Sequence, residues 1–282
     1  MKRFFILATA AIVALASCAK TEVVYNDAPE QISFKQITGA MTKAEDLTGG
    51  ELGVFANQNG TDAEYFGNTK FTWVDVDNVY KADKEWPREG SLDFTVYYPY
   101  SVDAKYDLSE NVLTVPATAR ISEVYYGKER FLNRTKTSNP AVVLNHVCAK
   151  ITVNFEGGSL YTFKSAEISG VNTAGNVEVD YDAPLTVTTV DPVGGSITTG
   201  AINFAASGAV NYVLPGDQKN ISLIFTQNLG SADIEKEVPI TGTWEANKHY
   251  IYNISVAANA LITFTAEVED FGTGATTYPT VE

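Results

Sequence analysis

Histidine is the residue around which most acid–base and acyl-transfer sites are built, and this chain has 2 of them. A Ser-His-Asp arrangement would have to use His146 or His249 as its base. His146 lies in an alternating apolar run with Leu144 and Cys148 on its face, which favours a packed structural histidine. His249 comes just before a predicted strand and is expected to be exposed. The sequence therefore predicts no catalytic residue at either position.

Paired carboxylates, the other common acid–base arrangement, occur several times with one residue between the partners. In a strand this spacing places both side chains on one face, as a glycosidase cleft would require. In a chain with 34 acidic residues, however, the pattern is more often a solvated strand face. The pairs are Asp75/Asp77, Asp180/Asp182 and Glu267/Glu269. An enzyme that hydrolyses polysaccharide is therefore only the third-ranked hypothesis.

Metal and cofactor motifs are not apparent in the sequence. The segment 75–78, Asp-Val-Asp-Asn, has oxygen ligands at a calcium-like spacing. It lacks the turn glycine and the distal glutamate of an EF-hand loop, so a polar hairpin is favoured. There is no zinc spacing, P-loop or dinucleotide fingerprint. We expect no metal and no cofactor.

Clustered tyrosines leave a glycan-binding function open as the second hypothesis. Tyr97, Tyr98 and Tyr100, and separately Tyr125 and Tyr126, could stack on sugar rings. Tyrosines of antiparallel sheets more often pack at domain edges. A glycan-binding lipoprotein of the outer membrane would need them exposed as a platform.

The elements that must position these residues are predicted to be strands. Several runs alternate apolar and polar residues, and 15 Tyr and 14 Phe suit pleated, half-buried surfaces. One apolar face per strand predicts antiparallel sheets packed as sandwiches. The clearest runs are Leu92–Tyr98, Val143–Phe155, Ile221–Phe225, Tyr250–Val256 and Ile262–Val268.

The first residues have the pattern of an export signal. Lys2 and Arg3 precede an uncharged run, residues 4–16, that is shorter than the roughly 20 residues needed to span a bilayer. The run ends in Leu15-Ala16-Ser17-Cys18, which resembles the bacterial lipobox. Cys18 is therefore expected to be acylated after residues 1–17 are removed. Cys148 would then have no disulfide partner and is expected to be a small buried hydrophobe.

Charge limits the partners of the exported protein. The formal net charge is −14, which argues against nucleic acid and against adhesion to anionic lipid head groups. The lipid alone would hold the protein at a membrane. We predict a lipidated tether over residues 18–30, an N-terminal β-sandwich domain over 31–140 and a C-terminal β-sandwich domain over 141–282.

Several motifs together resemble the fimbrillin or Mfa-like family of type V pilus proteins. The most specific is the strand from Val143 to Val153, which is similar to the family pattern H-x-x-(A/S)-K-(I/L)-x-V. The others follow in matching order: Ile32-Ser33-Phe34, Thr42-Lys43-Ala44, Leu52-Gly53-Val54-Phe55-Ala56, Tyr97-Tyr98-Pro99-Tyr100, Gly242-Thr243-Trp244 and Tyr250-Ile251-Tyr252-Asn253-Ile254. The resemblance covers about Ile32 to Phe271.

The resemblance implies two transthyretin-like sandwiches and a role in building cell-surface fimbriae that act in adhesion. In the family, a lipidated precursor reaches the outer membrane and a protease removes its first strand. A strand from a homologous pilin then fills the groove. The displaced strand would be Ile32–Ile37, with Ile32, Phe34 and Ile37 as its apolar residues. The resemblance does not identify the adhesion target, which could be a ligand on a host or bacterial surface.

The chain departs from the family at the cleavage site, which is usually an arginine. No arginine lies between Cys18 and Arg88, and the matching position is Lys43, followed by Ala44. Either a lysine-tolerant protease cuts there, or the first strand stays in place. An uncut chain would resemble a tip, anchor or accessory component more than a shaft pilin.

Overall fold

A computed structural model describes most of the body of the chain. The described residues are 30–35, 49–61, 63–118, 124–132, 140–191, 196–228, 232–259, 261–270 and 276–277. All elements among them are β-strands, which confirms the predicted all-β class with antiparallel sheets. Within these ranges no helix is long and apolar enough to cross a membrane.

Within the described ranges, the strands follow one another without intervening helices. The first half of the chain forms β1 (Gln31–Lys35), β2 (Glu51–Gln58), β3 (Glu64–Val74), β4 (Val79–Glu85), β5 (Leu92–Tyr98), β6 (Lys105–Asp107), β7 (Val112–Thr118), β8 (Tyr125–Leu132), β9 (Asn145–His146) and β10 (Ala149–Glu156). The second half forms β11 (Tyr161–Asp180), β12 (Thr186–Val190), β13 (Thr198–Phe204), β14 (Ala209–Val213), β15 (Gly216–Asp217), β16 (Ile221–Gln227), β17 (Asp233–Val238), β18 (Thr243–Trp244), β19 (Lys248–Val256), β20 (Ile262–Asp270) and β21 (Thr276–Thr277).

These strands form three large sheets and one small one. The first sheet has 7 strands in the order β1-β4-β3-β2-β5-β8-β9. The second has 5 strands, β14-β10-β19-β20-β21, and its β10–β19 ladder is parallel. The third has the path β17-β16-β11-β7-β6, with β12 and β13 also paired to β11. β15 and β18 form a separate pair.

The long strand β11 connects the two ends of the third sheet. Its first half pairs with β16, from Tyr161 to Ile168, and its last part pairs with β7, from Ala174 to Asp180. The β7–β11 ladder therefore joins residues on both sides of position 140. The division into domains at that position stays a prediction.

In the part of the chain that the structure describes, buried side chains form three clusters. The N-terminal core lies within the first sheet and contains Ile32, Phe34, Leu52, Val54, Ala56, Phe66, Phe71, Tyr80, Trp86, Leu92, Phe94, Val96, Tyr125, Val142 and Leu144. The C-terminal core lies between the second and third sheets and includes Ile151, Val153, Ile168, Leu223, Phe225, Trp244, Tyr252 and Ile254. A middle core joins residues from both halves of the chain: Phe55, Tyr97, Ala104, Leu113, Val115, Ala117, Val124, Tyr126, Val147, Cys148, Val177, Val179 and Leu214.

The predicted run from Val143 to Phe155 is interrupted. The chain leaves the first sheet after β9 and enters the second sheet at β10, with a bend at Val147 and Cys148. The bend changes which alternate residues are buried, so Val143 is 45% exposed while its neighbours in the sequence are buried. The alternation of the run predicts that Val143 shares the core face with Val147 and Ala149, and for Val143 this prediction is wrong.

Candidate functional site

The leading strand β1 lies at one edge of the first sheet. It pairs antiparallel with β4, with Phe34 opposite Tyr80, and its register shifts between Gln31 and Ser33. On its other side, the amide of Lys35 donates a hydrogen bond of 3.2 Å to the carbonyl oxygen of Pro140. The sheet therefore curls until β1 nearly meets the segment that leads into β9. Without β1, a slot would separate β4 from that segment.

The apolar side chains of β1 fill the N-terminal core. Ile32 and Phe34 are fully buried. The Phe34 ring packs edge-on against Phe71 and Phe94, with ring centroids 5.2 Å and 5.1 Å apart. Trp86 forms a further wall, 5.6 Å from Phe94. A short strand at a sheet edge thus covers an aromatic pocket that water would otherwise reach.

Hydrogen bonds on both sides hold β1 in place. The ladder with β4 has four residue pairs and one irregularity. The amide of Trp86 adds a bond of 2.8 Å to the carbonyl oxygen of Glu30. Burying each large apolar side chain stabilises the fold by about 1.5–3 kcal/mol. Ile32 and Phe34 therefore add to what the backbone ladder contributes, and pockets filled by alternate side chains are what give an added strand its specificity.

The other residues predicted for processing cannot be placed on this slot. Cys18, Ile37, Lys43 and Ala44 lie outside the described residues. Their roles stay predictions. Cys148 is described: its thiol is free and fully buried, and burial raises the pKa of the thiol to about 12.

His249 lies inside β19 rather than before it, and its side chain is 13% exposed, contrary to the expectation from the sequence. Its Nε2 lies 2.9 Å from Thr152 Oγ1, and its Nδ1 lies 2.7 Å from Glu269 Oε1. A hydroxyl, an imidazole and a carboxylate therefore follow one another as in an acyl-transfer triad. The sequence could not show this trio, because its members come from three strands.

The trio is better explained as part of a polar network on the outer face of the second sheet. β10 and β19 each pair on both sides in the described structure, which commits their amides to ladders rather than to an oxyanion. The network continues through Asn253, which contacts Asn154 at 2.8 Å and Glu267 at 3.1 Å. Cross-strand hydrogen bonds of this kind stabilise a sheet.

Burial makes His249 a source of acid sensitivity. Burial, followed by the positive charge of Lys150, lowers its pKa below the ordinary value of 6.5, while Glu269 opposes the shift. The unfolded chain therefore takes up a proton near pH 6.5 that the folded chain binds less readily, so stability falls as the pH drops through that value. We expect the melting temperature to fall further between about pH 7 and pH 5 in the wild type than in His249→Gln. Equal falls would contradict the assignment.

His146 packs as the sequence predicts, with its ring 4.5 Å from that of Tyr125. The carboxylate pairs serve as hydrogen-bond acceptors. Trp73 Nε1 donates to Asp75 at 2.6 Å, and Lys81 Nζ donates to Asp77 at 2.6 Å. Among the described residues, no group of three or more His, Cys, Asp or Glu side chains could hold a metal ion.

The tyrosines considered for sugar stacking are mainly buried. Tyr97, Tyr125 and Tyr126 are at most 7% exposed. The Tyr97 hydroxyl donates to Asn68 Oδ1 at 2.7 Å. Burial raises the pKa of Tyr97 and of Tyr126 to about 12. These three residues pack within the fold and do not form an exposed platform.

Fold and site together define an all-β protein whose leading edge strand covers a buried aromatic pocket. A family model described as fimbrillin-like matches residues 40–270, and the chain belongs to that family. A candidate cell adhesion protein from Bacteroides uniformis has a TM-score of 0.56 at 21% identity, over 86% of this chain and 98% of that chain. Another from Bacteroides ovatus has a TM-score of 0.54 at 14% identity, over 88% and 99%. These likenesses show the fold. No match is found among the curated proteins.

Proposed function

We propose that this chain is a structural or accessory subunit of cell-surface fimbriae with a role in adhesion. It would be exported as a lipoprotein through Cys18 and held at the outer membrane by its acyl chains. Membership of the fimbrillin-like family supports the fimbrial role. The similar structures from two Bacteroides species, described as candidate adhesion proteins, agree with the adhesive role.

Strand exchange is the proposed mode of assembly, with homologous pilins as partners. The observation that carries it is β1, an edge strand with fully buried Ile32 and Phe34 and a short ladder. A cut after Lys43 would separate this strand from the rest of the chain. A strand from a neighbouring subunit could then restore the ladder with β4 and refill the aromatic pocket. Such a head-to-tail contact need not close on itself and can extend into a filament.

The donor strand is less well defined. The alternating run Ile262–Val268 is the candidate for this role, and it lies in β20. β20 pairs with β19 through nine residues, from Ile262 to Asp270. β20 also borders an apolar groove of about 640 Å³ together with the segment 237–241. Releasing β20 would break the ladder and open this groove further, so a donor role for β20 requires its own replacement.

Limited proteolysis tests the assembly step. Purified mature protein treated with trypsin is expected to be cut after Lys43 and to form multimers that resist SDS. Lys35 should be cut more slowly, because it lies in the β4 ladder and its amide bonds to Pro140. The products are identified by mass spectrometry and gel electrophoresis.

Lys43→Gln provides the matched control, since it removes the proposed cleavage site and leaves β1 unchanged. We expect this variant to stay monomeric under the same treatment. If wild-type protein trimmed after Lys43 also stays monomeric, shaft polymerisation is wrong. A cap or anchor role that keeps β1 in place would then be favoured.

A further inference from the structure

A lysine of the first sheet is enclosed by groups of the third sheet. Lys128 lies on β8, and its Nζ donates to the Tyr106 hydroxyl at 2.6 Å and to Asn111 Oδ1 at 2.5 Å. The same nitrogen lies 5.0 Å from the centre of the Tyr106 ring and 5.1 Å from that of Tyr181. The amine is therefore directed at a side-chain amide between two aromatic rings.

The amide of Asn111 is held from both ends. Asn111 has a φ of 56° in the turn between β6 and β7. Its Oδ1 also accepts a hydrogen bond of 2.9 Å from the Tyr106 hydroxyl, and its Nδ2 donates to Asp182 Oδ1 at 2.7 Å. The Tyr106 hydroxyl polarises the carbonyl group, and it stays where negative charge would develop when Nζ moves from the oxygen to attack the carbon.

The surroundings also favour the reactive form of the lysine. Burial and then the nearby charge of Arg130 lower the pKa of Lys128 to about 8, against opposing effects of Asp93 and Asp182. A desolvated lysine with a lowered pKa is an effective nucleophile, because more of it is the neutral amine near neutral pH. Tyr181 closes the site, with its hydroxyl donating to the carbonyl oxygen of Gly127 at 3.3 Å.

We propose that Lys128 and Asn111 join in an intramolecular isopeptide bond. Lys128 Nζ, as the neutral amine, forms a bond to Asn111 Cγ. The Cγ–Nδ2 bond breaks, and Nδ2 leaves as ammonia after receiving one proton that Nζ gives up. Asp182, in contact with Nδ2, relays that proton and ends the reaction as the carboxylate it was at the start. The reaction requires no oxidant, metal or cofactor.

The distances suit this reaction. A carbonyl bond of about 1.2 Å beyond the 2.5 Å contact leaves Nζ within about 3.7 Å of Cγ. Reacting groups held at about 3–3.5 Å with suitable alignment gain a large effective concentration. A small shift of the Lys128 side chain from the oxygen towards the carbon would bring it to that separation.

The bond would join β8 in the first sheet to the β6–β7 turn in the third sheet. These sheets flank the middle core, so the bond would be a covalent link across one side of it. A cross-link that closes a loop stabilises a fold chiefly by restricting the unfolded chain.

Peptide mapping of the full-length protein tests the proposal. Protein held at about pH 9, above the pKa of Lys128, is denatured and digested with trypsin. Trypsin does not cleave after Lys128 when the side chain of this lysine is in an amide bond. We therefore expect residues 106–120 joined to residues 121–130, lighter than the sum of the two peptides by one ammonia. Fragment spectra should place the branch at Asn111 and Lys128.

Lys128→Arg keeps the positive charge but lacks a nucleophilic amine, so it should give only linear peptides. Asp182→Asn retains an acceptor for Asn111 Nδ2 and should form the branched peptide about 100-fold more slowly. Wild-type protein that remains folded at this pH and yields only the linear peptides would overturn the proposal. Loss of ammonia confined to the 106–120 peptide, as in cyclisation of Asn111 onto its own backbone, would also overturn it.

Discussion

Replacing Phe34 by alanine is expected to lower the free energy of unfolding by about 3–5 kcal/mol. The Phe34 ring is fully buried and packs edge-on against Phe71 and Phe94. Its loss removes apolar burial and leaves a cavity that the edge strand cannot collapse to fill. Urea denaturation followed by tryptophan fluorescence measures the effect, because Trp86 belongs to the same core and contacts Phe94.

Lys35→Ala is the matched control for this prediction. Lys35 belongs to the same strand but is exposed, and its ladder position opposite Val79 depends on the backbone alone. We expect a change within about 0.5 kcal/mol. If Phe34→Ala is as mild as Lys35→Ala, β1 does not contribute to the stability of the N-terminal core. The strand-exchange proposal would then lose the pocket on which it depends.

The strands with clear alternation were the part of the fold that the sequence could predict. In β16, Ile221, Leu223 and Phe225 are fully buried, and in β19 alternate residues from Tyr250 to Val256 face the core. Each of these strands has one apolar face, so the pattern itself states which side chains are buried. The expectation that Ile32 and Phe34 belong to a leading strand comes instead from the resemblance to the fimbrillin family.

The alternation of apolar and polar residues does not predict burial where a strand is buried on both faces or where the chain passes from one sheet to another. All but the last residue of β5 is buried, because Phe94 faces the N-terminal core while Tyr97 faces the middle core. Val143 is exposed because a bend separates β9 from β10. Neither feature leaves a local pattern, since both depend on which strands become neighbours.

The clusters of polar side chains could not be predicted from the sequence for the same reason. Lys128, Asn111 and Asp182 come from β8, from the turn before β7 and from the residues after β11. Only the pairing of β7 with the end of β11 brings Asn111 near Asp182. In the sequence alone, Asn111 and Lys128 are indistinguishable from ordinary surface residues. Their chemistry emerges only when the two sheets enclose them.

Gly127→Ala is the second substitution with a large expected effect, and it tests how tightly the first sheet is closed. A Cβ at Gly127 would lie 2.3 Å from the carbonyl oxygen of Val143 and 2.8 Å from Leu144 Cδ2. The oxygen belongs to the backbone and sits between Val142 and Leu144, which are fully buried in the N-terminal core. We expect the free energy of unfolding to fall by about 3 kcal/mol in urea denaturation, the upper end of the usual range for overpacking, because a backbone atom has to move.

Gly67→Ala separates this steric effect from the general effect of replacing a glycine. A Cβ at Gly67 would meet the carboxylate of Glu64 at 3.3 Å, and that exposed side chain can move away. We expect a change of less than about 1 kcal/mol, because the alanine also restricts the unfolded chain. A similarly small change at Gly127 would show that the segment 142–144 can move away from β8. The segment 142–144 forms the wall of the β1 slot opposite β4. If this wall can move, a donor strand would not need to match β1 closely.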